Sequence, residues 1–186
     1  MEAELYKSYT HTPPHFFRPN GKYFITGSTY RKQPHLKSDA AKAKAVEYMV
    51  TSFEHFGWKI EDWVLLNNHY HIMADAPEDA LTLSAVINNF HKFSAIWIRK
   101  NVEPGDYVTD KLTQSTYSKN KIWYSYWDTC ITYEKYIWCN PVKHGYVTDP
   151  TQWRFGSFFH RAKDWSGVKD IIEKYPWDRV GVKDDF

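Results

Sequence analysis

WKIEDWVLLNNHYHIMAD, residues 58–75, is the stretch on which the fold turns. Trp58 to Leu66 reads as a strand, Asn67-Asn68 is a two-residue turn signal, and Tyr70 to Asp75 reads as the returning strand of a hairpin. His69 and His71 stand beside that turn. Residues i and i+2 of a strand project from one face, so the two imidazoles lie side by side while Tyr70 points the other way. Two neutral imidazoles so placed can share one metal ion, and they also fit ordinary polar residues on a sheet surface.

Working outward, Lys22 to Tyr30 is aromatic and β-branched and reads as a first strand. Ser38 is an N-cap candidate for a helix from Asp39, with Val46, Met49, Val50 and Phe53 on one face and Gly57 as its stop. After Pro77, the spacing of Leu83, Val86, Ile87, Phe90, Trp97 and Ile98 predicts a second amphipathic helix ending near Lys100. Residues 101–120 read as a long loop. Lys121 to Trp127 is a fourth strand, and Asp128 or Thr132 caps a helix expected to run to Asn140 and stop before Pro141. The order β-α-β-β-α-β followed by a helix predicts an α+β, ferredoxin-like antiparallel sheet with helices on one face, plus a C-terminal tyrosine-bearing helix. Residues 1–21 read as an N-terminal extended arm, 22–149 as the principal domain, and 150–186 as an aromatic-rich tail packing on it.

At 186 residues the chain suits one domain with a real core. No segment approaches the ~20 apolar residues of a membrane span, and no basic, apolar leader opens the chain, so no membrane partner and a cytoplasmic location are expected. Cys130 and Cys139 match no disulfide framework or zinc spacing and read as reduced, buried residues. A formal charge of +2 permits a nucleic-acid partner without requiring one. Nine Trp and fourteen Tyr are compatible with stacking on unpaired bases, and equally with an aromatic core.

A second constellation lies in Tyr133-Glu134-Lys135-Tyr136-Ile137-Trp138-Cys139-Asn140-Pro141. On a helix Tyr136 and Asn140 fall one turn apart, presenting a phenol and an amide carbonyl together. The same spacing also suits a core tyrosine and a C-terminal capping asparagine.

Asn68-His69-Tyr70-His71 resembles the His-hydrophobic-His signature of HUH endonucleases. Tyr136 through Gly145 resembles the Tyr-Ile-x-x-Asn-Pro-Val-Arg-Ala-Gly run of the REP-associated tyrosine transposases, within the insertion-sequence-200-like, single-tyrosine group. Trp123 to Asp128 and Asp149-Pro150-Thr151-Gln152-Trp153 extend the resemblance, which runs from about Pro13 to Phe158. Three departures stand out: Leu66-Asn67-Asn68 in place of Met-Pro-Asn, His144 in place of Ala, and Trp153-Arg154-Phe155-Gly156-Ser157 in place of Trp-x-x-Ser-Ser.

The resemblance implies a single-stranded DNA transposase and endonuclease that cleaves and rejoins DNA at hairpin, REP-like palindromic sites through a 5′-phosphotyrosine. It implies Tyr136 as nucleophile, with Tyr133 as the rival, and His69, His71 and Asn140 as ligands of a divalent metal, Mg²⁺ or Mn²⁺. Zinc also suits such ligands. His15, Arg18, Lys92, Arg99, Lys100, Lys121, Lys135, Lys143 and Arg154 are candidate DNA contacts, each also readable as a solvated surface charge. Single-stranded or hairpin DNA is the expected partner, and the chain is expected to act as a monomer or homodimer. The alternatives are a non-catalytic hairpin-DNA or RNA-binding protein and a metal-dependent hydrolase without a covalent step.

Overall fold

In the computed structural model, residues 6–9, 12–102, 123–129 and 134–161 are described. Two short strands come first, β1 (Tyr6–Tyr9) and β2 (Thr12–Phe16), paired antiparallel with Lys7 opposite His15. Part of the segment read as an extended arm therefore doubles back on itself. Strand β3 (Lys22–Thr29) follows, then helix α1 (Asp39–His55), the hairpin strands β4 (Lys59–Leu65) and β5 (His69–Asp75), helix α2 (Leu83–Asn101) and strand β6 (Trp123–Thr129). The chain then forms α3 (Glu134–Lys143) and the short α4 (Ser157–Arg161). The sheet order is β4-β5-β3-β6, antiparallel throughout, which is the expected β-α-β-β-α-β arrangement.

Alternation along the strands separates two faces. Tyr23, Ile25, Tyr70, Ile72 and Ala74 point into a core covered by α1 and α2, whereas Phe24, Val64, Leu66 and Met73 meet Tyr136 and Ile137 of α3 on the other side. Ser38 caps α1 by accepting from the Ala41 amide at 3.2 Å. The buried row of α1 is Ala41, Ala45, Met49 and Phe53, successive one-turn steps, and Val46 and Val50 sit only partly buried at its border. Full burial of a side chain the size of Phe53 or Phe90 contributes roughly 1.5–3 kcal/mol.

Gly27 lies opposite Tyr70, and a Cβ there would stand 2.5 Å from the tyrosine ring. The missing side chain lets that ring lie across β3, where its hydroxyl meets His91 Nε2 at 2.9 Å. Burial pushes the His91 imidazole down to about 3 and raises the Tyr70 phenol.

Two local irregularities position the second face. In β4 the register shifts between Ile60, opposite Ala74, and Asp62, opposite Met73. Glu61 is the extra residue of this β-bulge, and without it Asp62 would point at the helical core instead of at α3. The second irregularity corrects the sequence expectation: α3 does not stop before Pro141 but runs through it to Lys143. Pro141 forfeits one helical hydrogen bond, yet His144 N still donates to Asn140 O at 3.1 Å, and Gly145, at φ +70°, closes the turn. Beyond α3, Leu65 N donates to Phe155 O at 2.8 Å and Gly156 bridges to Val64, so this segment covers the outer edge of β4.

Among the described residues no helix is long and apolar enough to cross a membrane. Cys139 is buried and its thiol is pushed up to about 12 by that burial. Cys130, residues 103–122, which hold most of the expected 101–120 loop, and residues 162–186 lie outside the described residues.

Candidate active site

His69 and His71 leave β5 on the α3 face, with ring centroids 5.2 Å apart and meeting edge to face. Ser28 is registered opposite His69 and Thr26 opposite His71, and the Phe24 ring stacks on His71 at 5.5 Å. His71 is fully buried and His69 nearly so. The orientation of His69 follows from its neighbour. Asn68 Nδ2 donates to Lys32 O at 3.1 Å, which leaves Oδ1 as the amide atom facing His69 Nδ1 at 2.7 Å. An oxygen can only accept, so His69 carries its proton on Nδ1 and presents the lone pair of Nε2.

Helix α3 brings the phenol to this pair. The Tyr136 ring centroid lies 5.2 Å from that of His71 and 6.1 Å from that of Phe24, and Lys143 Nζ stands 5.0 Å from the Tyr136 ring centroid. One turn on, Asn140 is fully buried, and neither Oδ1 nor Nδ2 has a hydrogen-bond partner among the described residues. A buried amide left so is unfavourable by about 1–3 kcal/mol per group and calls for an occupant. A divalent cation fits: two imidazole nitrogens and one neutral amide oxygen make a mixed N and O donor set with coordination positions to spare. Among the described residues no group of three or more His, Cys, Asp or Glu is placed to hold a metal.

Two residues enter the site that the sequence reading did not assign to it. His144 packs its ring against His69 with centroids 4.8 Å apart. It stands four residues after Asn140, a signal hidden by the expectation that the helix stops at Pro141. Asp62 is the other: its buried Oδ1 accepts from Trp138 Nε1 at 2.8 Å, Ser157 Oγ at 2.7 Å and Arg161 at 2.9 Å, tying β4, α3 and α4 together. The Trp138 ring stacks on Phe158 at 4.8 Å. Tyr146 follows just past α3, and burial raises its phenol while the nearby Asn67 side chain of the hairpin turn opposes that shift.

The candidate DNA contacts divide by position. Lys135 and Lys143 are exposed on α3, beside Tyr136. Lys92, Arg99 and Lys100 belong to α2, which covers the opposite sheet face, so the fold does not bring them to the histidines. Arg18 precedes β3 at the end where Lys22 faces Asp75, far from the end where Ser28 faces His69. Arg154 is held by Asp39 at 2.7 Å. Lys121, Tyr133 and the His15 side chain lie outside the described residues.

The family model described as Transposase IS200 like matches residues 19–137. The REP-associated tyrosine transposase of Escherichia coli (strain K12) is 27% identical over 180 residues, spanning 89% of this chain and 92% of its own length. A solved structure described as a REP-associated tyrosine transposase bound to a REP hairpin superimposes with a TM-score of 0.64 at 21% identity and covers 95% of each chain.

Proposed function

The chain belongs to the IS200-like transposase family, and on that premise we propose that it cleaves and rejoins single-stranded DNA at hairpin sites through Tyr136. The observation that carries this reading is the packing of the Tyr136 phenol against His71 within one chain, with Asn140 one turn along the same helix. The likeness to a transposase named for its REP hairpin points to a hairpin as the substrate form.

In the proposed reaction the Tyr136 oxygen attacks a backbone phosphorus, forming an O–P bond as the bond to the 3′-oxygen breaks. The phenol gives up its proton, the departing 3′-oxygen takes one, and the DNA is left as a 5′-phosphotyrosine with a free 3′-hydroxyl. Attack by a second 3′-hydroxyl reverses these steps and joins the strands, so the phosphodiester energy is kept. His69, His71 and the Asn140 carbonyl would hold a divalent ion, Mg²⁺ or Mn²⁺, which supplies Lewis acidity toward a phosphate oxygen. Asn68 keeps His69 in the tautomer that offers Nε2. Lys143 puts a cation beside the phenol, where the phosphate would come. The van der Waals wall of Phe24 and His71 holds the Tyr136 ring in one orientation.

The Tyr136 residue is 1% exposed, which favours a second reading in which the chain binds hairpin DNA without cutting it. One experiment separates the two. A labelled hairpin with a single-stranded flank is incubated with protein and Mn²⁺ and run on a denaturing gel. The transposase reading expects a protein–DNA adduct that is lost in Tyr136→Phe, while DNA affinity stays within about threefold because one hydroxyl is removed. An adduct in the Phe variant refutes Tyr136 as nucleophile, and binding with no adduct in the unaltered protein supports the second reading.

A further inference from the structure

We propose that the turn Tyr30–Lys32 is a phosphate-binding edge that carries the single-stranded DNA flank into the histidine site; this rests on the function proposed above. Arg31 and Lys32 are exposed and adopt φ of +54° and +56°, the left-handed region that glycine and asparagine occupy readily and other side chains do not. Two such residues in succession persist only where the surroundings over-determine them, and such spots concentrate at functional sites.

The surroundings here are the end of β3 and the hairpin turn. Thr29 Oγ1 donates to Gln33 O at 2.5 Å and contacts Asn68 O at 3.1 Å, and Thr29 N donates to Asn68 O at 2.7 Å. Gln33 N returns to Tyr30 O at 3.2 Å, and Leu36 N donates to Asn67 O at 2.9 Å. Asn68 Nδ2 takes the Lys32 carbonyl at 3.1 Å, while Oδ1 of the same amide orients His69. One side chain therefore anchors both the basic turn and a histidine of the site, and Ser28, two residues before Tyr30, is registered opposite His69.

What the strained backbone achieves is to set two neighbouring cations outward at this edge. The Arg31 guanidinium lies 5.2 Å from the Tyr30 ring centroid, a stacked position that pre-orients it for a phosphate. The arrangement matches a backbone-tracking role, in which Lys and Arg meet successive phosphates and carry no base specificity.

The test uses the full chain with Arg31→Gly and Lys32→Gly, singly and together. Glycine relieves the left-handed backbone, so the thermal midpoint should hold or rise while function is lost. Affinity for a hairpin with a single-stranded flank should fall, and its log–log salt slope should become shallower by about 1.4 in the double variant, about 0.7 per phosphate contact. Affinity for the blunt hairpin should not change. Equal losses on both DNAs would assign the turn to the stem and overturn the proposal. Unchanged affinity for the flanked hairpin would overturn it as well, leaving the proposed reaction standing if the unaltered protein still forms its adduct. If the unaltered protein binds neither DNA, the function itself falls and this edge with it.

Discussion

Trp138 donates its indole N–H to the buried carboxylate of Asp62 at 2.8 Å, and this bond seats the tyrosine helix on the sheet two residues from the phenol. Asp62 reaches that position only because the bulge at Glu61 turns it to the α3 face. Asp62→Ala strands three donors, one of them the Arg161 guanidinium, and should destabilise the fold by about 2–4 kcal/mol in urea unfolding. Trp138→Phe should lose about 1–2 kcal/mol, and the double variant should lose less than the sum, since both delete the same contact. Strict additivity would show that the bond does not seat α3.

The proposed metal donors can be checked without any DNA. Mn²⁺ titration followed by electron paramagnetic resonance should show no specific site in His69→Ala or His71→Ala. Asn140→Ala should retain a weaker site, because water replaces a neutral carbonyl. Asn68→Ala should lower affinity by about tenfold through loss of the hydrogen bond that orients His69. Adduct formation that survives EDTA would refute the metal altogether.

Gly27→Ala places a Cβ against the Tyr70 ring. Overpacking of this kind is unfavourable by about 1–3 kcal/mol, read as a lowered thermal midpoint. Tyr70→Leu introduced in the Gly27→Ala background should recover part of the loss. A midpoint unaffected by Gly27→Ala would mean that the ring does not need this gap.

Acid should weaken the fold through His91. Its folded value is about 3 against an ordinary 6.5, so between those limits the unfolded chain binds the additional proton. Stability is therefore full above about 6.5, falls as pH drops, and levels off for this group near 3. Carboxylates titrate in the same window, so the measurement is the difference between the unaltered protein and His91→Gln. The variant should show a shallower acid slope, and identical slopes would remove His91 from the account.

The four residues of the candidate site were legible because each pair obeys a short-range rule. His69 and His71 share a face by strand alternation, and Tyr136 and Asn140 share one by the helical turn. The hairpin, its turn and the strand–helix order were readable for the same reason. The α1 face was misjudged by a fraction of a turn, because branched Val46 and Val50 look like core while the small Ala41 and Ala45 are what let the helix approach its neighbours.

Sequence alone thus determined the antiparallel framework and the residue types at its polar centre, since local periodicity and turn chemistry act within a few residues. Tertiary structure alone decided that α3 passes through Pro141, bringing His144 to His69, that a bulge turns Asp62 toward Trp138, and that Arg31 and Lys32 hold a left-handed turn beside Asn68. Each of these goes against a local preference. A proline inside a helix, an extra residue in a strand and two non-glycine residues at positive φ are all locally unfavourable, and only partners distant in sequence offset them.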